Sequence, residues 1–402
     1  MHQTTRLTLH ENVQFIYELV LAQMELEAAG VDFAVGDNLR GFRANGQLDR
    51  ERLIRRSAYI RSLQPLHAEE LLTDYHHIQQ YNQTQSINQY LTHWFYPYKG
   101  KFHPQMIRAL LGIIGLGPGD VVLDPFIGSG TTAVEAQLLG IDCIGVDISP
   151  LCCLISRVKT QSWERLDEIE EASEYVAPCS DNVHQQRLFR SAEDRELPEG
   201  PVRDFFDLAE MIARSDTSRR RRDPVQAFVH NRDKMLASVR DHLEVKRRLE
   251  LDFGTVDIVE GDVREMELED ASVDGIVTSP PYSIALNYIK NDEHALEAMG
   301  FDLDELSEEF IGVRGRGKER FELYEEDMRQ AAREMQRVMR PGAVAAVVIG
   351  NVTYQGEEID TTGMFTDACE DTGLSLERSV DKIIFGLYNV MQKEYILLFR
   401  KQ

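Results

Sequence analysis

At 402 residues, with 43% apolar and 28% charged side chains, the chain has room for two or three domains and the balance of an ordinary soluble globular protein. It carries no apolar run as long as a membrane span and no apolar leader after Met1. Its formal net charge of −24 argues against indiscriminate polyanion binding, because affinity for phosphate backbones rests on Lys and Arg.

Residues 11–90 read as helical. Phe15, Leu19, Ala22 and Leu26 are spaced as one apolar face, and Leu53, Ile54, Tyr59, Ile60 and Leu63 suggest a second, with a Gly36–Gly41 loop between them. Residues 1–95 are therefore expected to form a helical N-terminal region. From Gly119 the pattern changes to strands alternating with helices. Val121-Val122-Leu123 is a short buried strand, 131–139 a helix, and 143–146 the next strand. After an interruption the pattern resumes at 256–259 and 275–277, then a helix over 325–339, a strand over 343–349, and a closing pair at 383–387 and 394–400. Such alternation implies an α/β, Rossmann-like, doubly wound and mostly parallel sheet covered on both faces. The sheet would be built from 96–150 and 251–402. Residues 151–250 form a helical insertion, a candidate for target recognition. Its Arg219-Arg220-Arg221-Arg222 run fits either a solvated face or contact with a phosphate backbone. The five cysteines, Cys143, Cys152, Cys153, Cys179 and Cys369, form no metal spacing and no disulfide framework, which fits a reducing cytoplasm and no bound metal.

Two loops carry chemistry. Asp124-Pro125-Phe126-Ile127-Gly128-Ser129-Gly130-Thr131-Thr132 joins a strand to a helix. Its glycines permit close approach of a ligand, and the helix start offers unpaired N–H groups. It has neither the lysine of a phosphate-binding Walker loop nor the Gly-x-Gly-x-x-Gly dinucleotide fingerprint. Asp147 closes the next strand, where a carboxylate can receive ribose hydroxyls or simply cap the following helix. The second loop, Thr278-Ser279-Pro280-Pro281-Tyr282, ends a strand. Two prolines there can neither continue a ladder nor begin an ordinary helical turn. They leave a rigid corner with free carbonyls, a hydroxyl before it and a ring after it, suited to a planar group bearing an NH2.

With both loops in place, the chain resembles the S-adenosylmethionine-dependent methyltransferases that modify exocyclic amino groups of DNA bases. The stretch 124–132 is similar to their cofactor motif and Ser279-Pro280-Pro281-Tyr282 to their catalytic motif. The resemblance implies the class I methyltransferase fold and S-adenosyl-L-methionine as cofactor. It would be held by Asp124, Pro125, Phe126, Gly128, Ser129, Gly130, Thr131 and Thr132, with Asp147 at the ribose and Asp262 at the adenine. Tyr98 to Pro104 matches a helix-entry segment that flanks the cofactor in many members. In this family a serine before Pro-Pro-Tyr is usual in cytosine-N4 enzymes, so cytosine in double-stranded DNA is the expected target. Adenine-N6 in DNA, an amino base of RNA, or a non-catalytic cofactor-binding subunit of a modification or defence complex are the alternatives.

Ser279 Oγ and the Pro280 carbonyl would accept the two amine hydrogens of a base flipped out of the duplex and stacked on Tyr282. Tyr288 would be a second wall, and Arg314, Arg316 and Lys318 of the basic loop 312–318 would meet substrate phosphates. A cognate nuclease of a restriction-modification pair, or a defence-system partner, would accompany such an enzyme.

Overall fold

The computed structural model describes residues 4–36, 38–178, 189–191, 196–281, 288–354, 357–385 and 391–402. Its N-terminal region is not the all-helical unit expected. It is a five-stranded antiparallel sheet of Asp32–Val35, Gly41–Asn45, Thr4–Leu9, Ile60–Pro65 and Leu71–Leu72, in that order, covered by helix α1 (Ile16–Ala28). The physical reason is a β-bulge. Leu7 pairs with Leu63 but Leu9 pairs with Ile60, so one extra residue lets Ile60 and Leu63 share the buried face. That turns the period of two into a spacing of three, which on the sequence mimics a helix. Helix α1 forms where the spacing predicts it, but its buried face is turned toward Tyr17, Leu21, Ala22 and Leu26; Phe15 is the N-cap and Leu19 is only half-buried. Its buried Glu25 accepts from the amides of Ala58 (2.8 Å) and Tyr59 (3.1 Å), which bolts the helix to the end of the strand.

The second sheet has seven strands. In chain order they are β1 (Val121–Asp124), β2 (Asp142–Asp147), β3 (Val256–Glu260), β4 (Val273–Thr278), β5 (Met339–Gly350), β6 (Leu374–Phe385) and β7 (Met391–Lys401). Spatially they run β3-β2-β1-β4-β5-β7-β6, parallel except for β7, which lies antiparallel to both β5 and β6. This is the α/β, mostly parallel, Rossmann-like arrangement expected from the sequence. Val122, Leu123, Ile276, Val277 and the run 345–349 are buried, as strands covered on two faces require. Helices α2 (Pro104–Ile113), α3 (Thr131–Leu138) and α4 (Pro150–Gln161) belong to the β1–β2 half. The insertion follows with α5 (Pro201–Arg220) and α6 (Pro224–Arg248), and the β4–β5 connection holds α7 (Tyr288–Ala298) and α8 (Gly317–Val338).

The chain leaves β1 toward β2 and β3, then returns to place β4 on the other side of β1. That reversal opens a crevice at the carboxyl ends of β1 and β4, the usual site of ligands in open α/β sheets. No described helix is long and apolar enough to cross a membrane.

Candidate functional site

A cavity of about 470 Å³ occupies this crevice. The glycine loop and the Ser-Pro-Pro corner both open onto it: Pro125, Phe126, Gly128, Ser129 and Thr131 on one side, Ser279 and Pro281 on the other, with Asp147 and Asp262 between. Phe126, Ile148, Val263 and Ile311 add apolar walls. Tyr98, Gly100, Lys101, Phe102 and His103 close it from the segment that enters α2.

The loop keeps its shape through its glycines and through buried polar bonds. Gly128 and Gly130 have φ of +51° and +73°. A Cβ on Gly128 would stand 3.3 Å from the Tyr98 ring, and one on Gly130 would fall 2.7 Å from Ser156 Oγ. The buried Lys159 reaches the loop from α4 and donates to the Ser129 carbonyl at 2.6 Å.

Asp124, Gly130 and Thr132 are buried and are not among the residues that line the cavity. Asp124 accepts from Thr132 Oγ1 (2.6 Å), Thr278 Oγ1 (2.7 Å) and the Phe126 amide (3.2 Å). It therefore braces the loop. Burial pushes its carboxyl up to about 6.

Asp147 accepts from the amides of Gly128 (2.8 Å) and Ser149 (2.9 Å), and one carboxylate so anchors both the loop and the start of α4. It faces the cavity, and burial raises it to about 6 as well, against those two amides. Each oxygen keeps a further lone pair for a ribose hydroxyl. Asp262 also faces the cavity, but it is held by Arg264 at 2.5 Å, and Arg264 in turn donates to the buried Asp327 at 2.9 Å.

At the Ser-Pro-Pro corner, Ser279 is half-buried and Pro280 is buried behind it. Tyr324 of α8, fully buried, donates its hydroxyl to the Pro281 carbonyl at 2.9 Å. Tyr282 lies outside the described residues. Tyr288 falls in α7, whose next residue Ile289 lines the cavity, but its side chain lies outside the description, as does that of Lys318.

Arg314 departs from expectation. Its guanidinium is paired with Asp327 through two nitrogens, so it braces the fold and is not free for phosphate. Arg316 is exposed.

Several lining residues carried no signal in the sequence. Tyr17 and Glu18 come from α1, Lys382 and Glu394 from the β6–β7 pair, where they form an ion pair, and Asp292 from α7. Only the folded chain brings them to the site. The buried cysteines Cys143, Cys152, Cys153 and Cys369 are free, and no His, Cys, Asp or Glu group among the described residues could hold a metal ion.

The residues fit S-adenosylmethionine on geometry. A glycine cradle that a Cβ would fill, a half-buried carboxylate with spare lone pairs, and apolar walls for a purine share one void.

Comparison with known proteins agrees. The DNA methylase family model matches residues 45–157. The Type II methyltransferase M.MjaII of Methanocaldococcus jannaschii is 49% identical over 72 residues, which is 18% of this chain and 13% of that protein. M.BsoBI of Geobacillus stearothermophilus is 34% identical over 110 residues, 27% of this chain and 21% of that protein. A tRNA (guanine(10)-N2)-dimethyltransferase of Methanothermobacter thermautotrophicus is 40% identical over 55 residues, 14% of this chain and 16% of that protein. The matched stretches thus span under a quarter of each relative's length.

Proposed function

We propose, from its place in the S-adenosylmethionine-dependent DNA amino-methyltransferase family, that this protein moves a methyl group to the exocyclic amine of cytosine (N4) in DNA. The observation that carries the reading is the shared cavity: Ser279 and Pro281 open onto the same void as Gly128, Asp147 and Asp262. When bound, S-adenosylmethionine supplies an electrophilic methyl on a sulfonium. The chain's residues supply binding and orientation. Asp147 receives the ribose hydroxyls, Phe126 and Ile148 flank the purine, and Asp262 meets its edge.

An aromatic amine is a weak nucleophile because its lone pair is delocalised into the ring. Ser279 Oγ, which opens onto the cavity, accepts one of its hydrogens and helps turn the lone pair toward the methyl. The Tyr324–Pro281 bond keeps the corner from relaxing. Catalysis of this kind rests on positioning, which is worth several kcal/mol when reacting atoms are held in line. A strong base is not needed for attack, since the proton leaves after the amine has become cationic.

Incubating DNA with labelled cofactor and digesting it to nucleosides tests the reading. N4-methylcytosine supports it. N6-methyladenine keeps the chemistry and moves the base. No labelled base from any DNA would refute it. The tRNA dimethyltransferase relative favours one second reading, transfer to an exocyclic amine of RNA. Competition between DNA and RNA of the same sequence separates the two, because only RNA offers 2′-hydroxyls.

A further inference from the structure

The mouth of the cavity has two rims of unlike chemistry, one from each accessory region. The insertion supplies the first. Arg219-Arg220-Arg221-Arg222, four consecutive cations in a chain of net charge −24, span the last turn of helix α5 and the two residues after it. Arg219 fixes where they sit. Its guanidinium donates to the carbonyls of Pro97 (3.1 Å) and Asn291 (2.9 Å) and pairs with Asp292 at 3.4 Å, and Asp292 lines the cavity. Arg220 and Arg222 share the single carboxylate of Asp216, at 3.2 and 3.1 Å, while both remain largely exposed. Arg221 is exposed beside them, and so is Lys99, whose Nζ lies 2.6 Å from Asn291 Oδ1. The ridge keeps a positive excess at the cavity mouth.

The N-terminal sheet domain supplies the second rim. Phe15 and Tyr17 line the cavity, and Ile16 between them is 81% exposed, the most exposed large apolar side chain among the described residues. The segment is propped, not loose. Phe15 stacks on the buried Tyr17 with ring centroids 5.8 Å apart, and Glu18 accepts from the amides of Gln14 (2.7 Å) and Phe15 (3.0 Å). A propped apolar tip held in water beside residues that line the cavity has the character of the wedges that proteins insert between base steps, where unstacking costs a few kcal/mol.

We propose that this mouth is a docking face for double-stranded DNA, with the phosphate backbone on the Arg219–Arg222 ridge and Ile16 entering the base stack where the target base leaves it. The inference rests on the amino-methyltransferase reading for its second half only, because backbone docking is measurable without turnover. The two accessory regions then straddle the flipped nucleotide: one holds the strand and the other holds the gap open.

The full chain is tested with Ile16→Ala and with the double variant Arg221→Gln/Arg222→Gln, on a duplex bearing the mapped target and on the same duplex with the target base mispaired. Ile16→Ala should lower kcat/KM on the matched duplex by about tenfold or more, since a flipping penalty of a few kcal/mol is no longer offset, and much less on the mispaired one. The double variant should weaken duplex binding and make log K against log salt shallower by up to about two, roughly one for each phosphate no longer neutralised. Cofactor affinity and melting temperature should match wild type in both.

Equal losses on matched and mispaired duplexes would overturn the wedge. An unchanged salt slope would overturn the ridge, and tighter binding of an RNA hairpin than of duplex DNA would overturn the partner. A wild-type chain that binds duplex through the ridge but transfers no methyl upholds the docking face and sinks only the reading of the chemistry.

Discussion

The Thr278 hydroxyl donates to the Asp124 carboxylate at 2.7 Å, so the strand that delivers the Ser-Pro-Pro corner is tied to the residue that opens the glycine loop. Both side chains are buried, and Asp124 has no cationic partner among its bonds to Thr132, Thr278 and Phe126. Thr278→Val keeps the shape and removes the donor. A buried carboxylate short of one hydrogen bond costs about 1–3 kcal/mol, so the melting temperature should fall. Cofactor affinity should fall with it, as the loop loses its brace. A variant that melts with wild type would deny the bond any structural weight.

Asp147 ties cofactor binding to pH. Burial raises its carboxyl to about 6, against the two amides that hold the charged form. Between the ordinary carboxylate range and that value, the folded chain keeps a proton that the unfolded chain releases. Stability of the free protein therefore falls as pH rises through this window, and the anion needed by the ribose hydroxyls is gained. Cofactor affinity should weaken as pH drops below about 6, by at most about tenfold per pH unit for one proton. Asp124 is raised into the same range, but its oxygens point at Thr132, Thr278 and Phe126. Asp147→Asn should accordingly weaken binding at neutral pH and flatten the dependence. Calorimetry across pH 5–8 measures both; an unchanged profile in the variant excludes Asp147 as the linked group.

Ser279→Ala separates chemistry from cofactor capture. The hydroxyl opens onto the shared cavity at the corner, away from the loop that cradles the cofactor. Turnover should drop by about a hundredfold, the scale seen when one transition-state hydrogen-bonding group is removed. Cofactor affinity should stay within a factor of two or so, since the loss falls on an interaction made in the transition state. Single-turnover rates beside a binding isotherm decide it.

Tyr324 is expected to act on turnover only through the corner it holds. Tyr324→Phe removes only the hydroxyl that holds the Pro281 carbonyl at 2.9 Å. One hydrogen bond of about 1 kcal/mol corresponds to roughly a fivefold loss in kcat. KM for cofactor should not move, and neither should the melting temperature by more than a degree or two. A variant that loses stability but keeps kcat would make the bond a packing feature alone.

Much of the catalytic domain was legible because its signals are local. The runs Val121-Val122-Leu123 and Gly275-Ile276-Val277 announce buried parallel strands from a few adjacent residues. Two glycines at positive φ and two consecutive prolines state their loop geometry without help from the rest of the chain. Asp147 and Asp262 could be placed because each closes a recognisable strand, and the fold sets both at the cavity.

What needed the folded molecule is everything that depends on pairing across distance. The bulge opposite Thr8 and Leu9 decides that 60–65 is a strand, because only the partner strand shows which side chains share a face. Asp327 decides that Arg314 is tied to the fold, because its guanidinium meets that buried carboxylate through two nitrogens. Ile16 and Arg219 are 203 positions apart in the chain, yet Ile16 stands between two residues that line the cavity and Arg219 pairs with a third, a relationship no local periodicity encodes. Backbone preferences and apolar runs act over a few residues, whereas burial, ion pairing and the walls of a cavity are set by which distant segments the core brings together.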